Sequence, residues 1–127
     1  MNPHLTRAIV AKINALDVAL RPDHLEGWTG RPFGDALLNE IALGIAAAYQ
    51  DGTLPFAEAD AAMGELSGLV MRRISDGDAP EGRLPYPFWD IYEAFDAGEY
   101  PHEDGGDPEP GFTRPMLAAI LAAARGR

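Results

Sequence analysis

Apolar residues recur at helical spacing in five segments of the chain, and proline or glycine stands at the ends of most of these segments. Spacings of three and four residues place side chains on one side of an α-helix, whereas β-strands need apolar and polar residues in alternation. No segment shows that alternation. The sequence therefore predicts an all-α protein, with a single domain over residues 1–127 that is a bundle of about five helices.

Proline and glycine set the expected helix boundaries. Proline is favourable at the first helical position, because its missing N–H would have no partner there in any case. Residues 21–31 and 76–86 are rich in turn-forming residues and are expected to be loops, and residues 99–112 should form a long irregular loop before the last helix. The predicted helices are Pro3–Leu20, Pro32–Gln50, Pro55–Ser75, Pro87–Ala97 and Thr113–Ala124.

Acidic residues outnumber basic ones by 20 to 10, which gives a formal net charge of −10. Nucleic acids and anionic membranes attract clusters of Lys and Arg, so neither is an expected partner; a charged partner should be a basic protein. The longest apolar run, Leu117–Ala124, is far shorter than the about 20 residues that span a bilayer. The N-terminus lacks the apolar core of a signal peptide, so a cytoplasmic location is expected.

The segment from Tyr86 to Glu109 is the richest in aromatic and acidic side chains. Between Asp90 and Glu109 there are eight Asp and Glu residues and no Lys or Arg. One interpretation is a solvated acidic surface over an aromatic core helix. The other is a recognition surface, in which aromatic rings supply contact area and carboxylates attract a basic partner. The candidate interaction residues are Trp89, Asp90, Glu93, Asp96, Glu99 and Tyr100.

Catalytic and metal-binding patterns are missing from the sequence. The chain has no cysteine, its three histidines are far apart, and no serine lies in a nucleophile motif. The acidic loop offers oxygen and nitrogen donors but not the spacing of a calcium-binding EF-hand; these donors are His102, Glu103, Asp104 and Asp107. We therefore predict no catalytic residue, no metal site and no cofactor. An enzyme that binds a metal or a small ligand remains the less favoured alternative.

A stripe of small residues follows one side of the predicted third helix: Ala57, Ala61, Gly64 and Gly68. Glycine inside a helix costs about 1 kcal/mol relative to alanine, so its use needs a reason such as the close approach of another helix. One interpretation makes this helix the centre of the bundle, with neighbours on two sides. The other makes the stripe the seam of a homodimer, and a structural or regulatory homo-oligomer is a second hypothesis for function.

In size, charge and helical character, and in its acidic and aromatic helix, the chain resembles the small immunity proteins with which bacteria neutralise their own toxins, nucleases in particular. That resemblance implies a non-enzymatic inhibitor. Its acidic surface would be steered to a basic active site and then held there by burial of aromatic side chains.

Overall fold

The computed structural model describes residues 1–78, 84–99 and 107–126, and within these ranges every regular element is helical. The predicted all-α class is confirmed. A single turn of π-helix at Glu109–Thr113 leads directly into the last helix. The helices are α1 (Pro3–Ala15), α2 (Pro22–Thr29), α3 (Asp35–Gln50), α4 (Phe56–Ser75), α5 (Phe88–Ala97) and α6 (Arg114–Arg125).

The first helix is shorter than predicted. It ends at Ala15, and Leu16 already has extended backbone angles. Leu20 is nevertheless buried, and its carbonyl oxygen accepts a 2.8 Å hydrogen bond from Nη2 of Arg72 on α4. The apolar spacing correctly marked Leu20 as a core residue but not its conformation, because an extended segment can also bury this side chain.

A short helix, α2, replaces part of the loop expected at residues 21–31. Pro22 occupies its first turn, and the Arg21 backbone N–H donates to Nδ1 of His24 at 3.0 Å. Gly30 ends the helix in the left-handed conformation, with φ of 68°. The prediction of a loop at these positions was wrong. Proline at the start and glycine at the end are typical helix boundaries, and here they enclose a helix of eight residues. The next helix correspondingly begins at Asp35 rather than Pro32.

The buried core lies between α3 and the helices around it. Helix α3 packs against α1, α4, α5 and α6, while α5 also contacts α4 and the π turn. The Tyr49, Phe56 and Phe95 rings meet at centroid distances of 5.3 to 5.9 Å, which joins α3, α4 and α5 near one end of the bundle. None of the helices described combines the length and apolar character needed to cross a membrane.

Both ends of α5 are held by residues that are distant in sequence. The Phe88 backbone N–H donates to Oδ1 of Asn39 at 3.0 Å, so α3 supplies the capping group for the first turn of α5. At the other end, a Cβ on Gly98 would lie against Oγ1 of Thr113 and 2.9 Å from Cε2 of Phe56. The absence of a side chain at Gly98 lets the π turn and α4 approach the end of α5.

The small-residue side of α4 faces outward. Ala57, Ala61 and Gly64 are exposed, and a Cβ placed on Gly64 would meet no atom within 4 Å. Helix α4 does contact α1, α3 and α5, but within the described residues none of them covers Ala57, Ala61 or Gly64. Gly68 is half-buried, and a Cβ there would lie 3.2 Å from Nη1 of Arg72. The homodimer seam stays a prediction.

Candidate protein-interaction site

The predicted interaction residues lie along the outer side of α5 and just beyond its end. We call Asp90, Glu93, Asp96 and Glu99 the acidic face. Three of them are exposed and Asp96 is half-buried. Trp89 is half-buried on the same helix, and Tyr100 lies outside the described residues. The core residues of α5 are on its other side: Phe88, Ile91, Ala94 and Phe95.

The acidic face has no cationic partner among the residues that the structure describes. Within the described residues, the ion pairs between side chains involve the carboxylates of Asp23 and Glu40, which lie outside this face. Two described arginines stack on aromatic rings instead. The guanidinium carbon of Arg114 lies 4.5 Å from the centre of the Tyr49 ring, and that of Arg73 lies 4.7 Å from the centre of the Phe33 ring. The negative charge of the acidic face is thus not neutralised by the described arginines or by Lys12.

A second helix, α4, contributes a carboxyl group beside this face. Asp60 on α4 is half-buried and lies beside Glu99 and Asp96. Partial burial, hydrogen bonding to Glu99 and the negative charges of Glu99 and Asp96 together raise the pKa of Asp60 to about 7. We call Asp60, Asp96 and Glu99 the carboxylate cluster. It is an electrostatically crowded place in which a positive charge would be favourable.

Sequence reasoning did not find this role of Asp60. The structure pairs Asp60 with Glu99, almost 40 residues away in the sequence. Helical spacing reports which residues share a side of one helix, not which sides of two helices meet. No signal in a single sequence connects these two positions.

Two aromatic residues of α5 form a pair beside the acidic face. The rings of Trp89 and Tyr92 are 4.8 Å apart between centroids, with an angle of 38° between their planes. Both residues are half-buried and pack against the core, so each remains partly accessible to solvent. The sequence prediction included Trp89 but not Tyr92.

Polar contacts fix the π turn beside the end of α5. The Tyr49 hydroxyl donates to Oε1 of Glu109 at 2.7 Å, and the Thr113 hydroxyl donates to the Ala94 carbonyl, also at 2.7 Å. Burial, followed by the hydrogen bond to Glu109 and its charge, raises the pKa of Tyr49 to about 12, so the hydroxyl keeps its proton at neutral pH. These bonds hold the segment after the acidic face against α3 and α5.

A groove of about 320 Å³ lies elsewhere, between α1 and the connection from α3 to α4. Val10 and Leu54 line it together with Arg7 and Glu58, which carry opposite charges. It is therefore not an extension of the acidic face.

In the described ranges, no three His, Cys, Asp or Glu side chains are placed to hold a metal ion. Of the loop donors considered from sequence, His102, Glu103 and Asp104 lie outside those ranges.

Comparison with known proteins adds no relative. No family model, no curated protein and no solved structure matches this chain.

Proposed function

We propose that this chain is a non-enzymatic protein-interaction module that binds a basic protein through the acidic face of α5. The observation that carries the proposal is that this face has no cationic partner in the described part of the chain. A protein whose charges serve stability alone would be expected to pair or disperse them. An inhibitor or immunity-type protein acting in the cytoplasm fits this charge distribution.

The position of the charges on α5 supports the proposal. The C-terminal end of a helix carries a partial negative charge, so acidic residues there are unfavourable by about 0.3–1 kcal/mol each. Asp96 lies in the last turn of α5 and Glu99 just beyond it, and that turn contains no basic residue. Sequences that break a local stability rule often do so where a function requires it.

The surroundings of the charges also favour recognition. Interfaces are commonly anchored by aromatic side chains that a rim of polar groups surrounds. Trp89 and Tyr92 supply partly exposed rings next to Glu93 and Asp96. The carboxylates would attract and orient a basic protein, and the rings would add buried area once it is bound.

Affinity capture with matched charge variants tests the proposal. At low salt, the wild-type chain should recover a basic protein from a lysate of its source organism, and D90N/E93Q/D96N should recover at least tenfold less. The control D17N/E58Q/E65Q removes the same formal charge from exposed positions on other parts of the surface and should retain capture. Equal losses for the two triple variants would mean that net charge, not the acidic face, determines binding.

A second candidate function, a homo-oligomeric structural or regulatory protein, draws support from α4. Three of its small residues, Ala57, Ala61 and Gly64, are exposed, and among the described residues no atom lies within 4 Å of a Cβ placed on Gly64. G64L would fill a close helix–helix seam, and its Cβ would meet no described atom within 4 Å in the same chain. If the wild type is a dimer by light scattering, G64L should shift its mass to that of a monomer. A monomeric wild type, or a G64L dimer, rejects this candidate.

A further inference from the structure

The aromatic pair and the acidic residues of α5 lie on one side of the helix. Counted from Trp89, the next members of this side follow after three, four and seven positions: Tyr92, Glu93 and Asp96. These helical spacings place the four side chains next to one another on the surface. Trp89 and Tyr92 are half-buried, Glu93 is exposed and Asp96 is half-buried. We call these four residues the aromatic–acid patch. It combines two aromatic rings with two carboxylates, and within residues 1–78, 84–99 and 107–126 no cation pairs with it.

The rings of the patch contact each other and the core, while their polar groups have no partner in the described chain. Elsewhere in this protein, Arg73 lies over the Phe33 ring and Arg114 over the Tyr49 ring. No described cation lies over Trp89 or Tyr92, and no described group hydrogen-bonds to the indole N–H or the Tyr92 hydroxyl. An incoming side chain would find these groups available.

We infer that the aromatic–acid patch is the anchor site for an arginine side chain of the basic partner. This inference rests on the proposed function and specifies which basic side chain of the partner the acidic face would bind. Arginine carries a planar guanidinium that stacks on aromatic rings and at the same time donates paired hydrogen bonds to a carboxylate. The adjacent rings of Trp89 and Tyr92 supply the stacking surface, and the Glu93 and Asp96 carboxylates supply the acceptors. Lysine, a compact and strongly hydrated ammonium, satisfies only the charge.

Two peptides of equal charge test this selectivity directly. Acetyl-hexaarginine amide and acetyl-hexalysine amide are titrated into the wild-type protein at low salt by calorimetry. Hexaarginine should bind about fivefold more tightly or better, because stacking on the rings adds to the charge interaction. W89L should remove this preference and leave the affinity for hexalysine nearly unchanged.

Fluorescence locates the arginine while the patch stays intact. Trp28 and Trp89 are the two tryptophans, and Trp28 lies on α2 against His24. In W28F the emission therefore reports Trp89 alone, and hexaarginine should change it substantially more than hexalysine at equal saturation. This measurement does not depend on whether W89L folds.

The possible outcomes distinguish a failure of the arginine anchor from a failure of the acidic face as a binding surface. Equal affinities of the wild type for both peptides would overturn the arginine anchor and leave the acidic face standing as the recognition surface. Unchanged Trp89 emission at saturation with hexaarginine would do the same. If E93Q weakens the binding of both peptides no more than E65Q, a change at an exposed carboxylate of α4, the proposed function falls as well.

Discussion

Asp60 is the residue whose surroundings differ most from those of a surface carboxyl. The pKa of about 7 means that the folded protein holds a proton on Asp60 over much of the range in which an unfolded aspartate, with a pKa near 3.9, has lost it. The folded state therefore binds more protons than the unfolded state between about pH 4 and pH 7. Under this linkage, the contribution of Asp60 to stability is lost as pH rises through that window.

Replacing Asp60 with asparagine should remove this pH dependence. Asparagine resembles the protonated carboxyl, so D60N should match the wild type near pH 4 and exceed its stability at pH 8 by on the order of 1 kcal/mol. This expected gain is modest because solvent screens a partly exposed group. Urea unfolding at a series of pH values measures the difference. E65Q, which removes an exposed carboxyl from the same helix, serves as the control. Parallel stability curves for D60N and the wild type would contradict the crowding of the carboxylate cluster.

Gly98 provides a second prediction at this scale. Alanine has the better helix propensity, but a Cβ here would meet Thr113 Oγ1 and the Phe56 ring. G98A should therefore lower the free energy of unfolding by about 1–3 kcal/mol, the usual effect of overpacking. The matched control is G64A on α4, where the new Cβ meets nothing within 4 Å and stability should stay equal or rise. A neutral G98A would show that the π turn does not pack closely on α5.

At the scale of elements, α5 depends on α3 for its start. Pro87 supplies no capping side chain, and the Asn39 side chain accepts the N–H of Phe88 instead. N39A should cost about 1 kcal/mol of stability, the usual value for loss of a helix cap. Hydrogen exchange should show the loss of protection concentrated in the first turn of α5, with α1 changed only as much as global stability requires. A uniform change along the chain would argue against this capping role.

The elements also show what a single sequence reveals. Helices α3, α4 and α5 were predicted well because their apolar spacing is long and their ends carry proline, glycine or Asp51-Gly52. Helix α2 was missed because eight residues are too few for a clear apolar period. The acidic residues of α5 were predictable from their spacing. Their proximity to Asp60 and the pairing of Trp89 with Tyr92 depend on how helices and rings pack, and spacing along the chain does not encode that.

For the whole molecule, the net charge and the position of individual charges have different effects on binding. The net charge of −10 attracts any basic molecule over a distance comparable to the Debye length, about 10 Å at 0.1 M salt. This general attraction accelerates encounter but does not select a binding surface. We therefore expect the acidic face of α5 to bind a basic ligand more strongly than other acidic parts of the same surface.

An NMR titration of the ¹⁵N-labelled protein with acetyl-hexaarginine amide would show which part of the surface binds the peptide. Amide shifts should be largest across residues 88–99 and around Asp60, and they should weaken at these positions as salt is raised. D90N/E93Q/D96N should abolish them there, while D17N/E58Q/E65Q should leave them in place. Shifts of similar size around Asp17, Glu58 and Glu65 would contradict the assignment of recognition to α5.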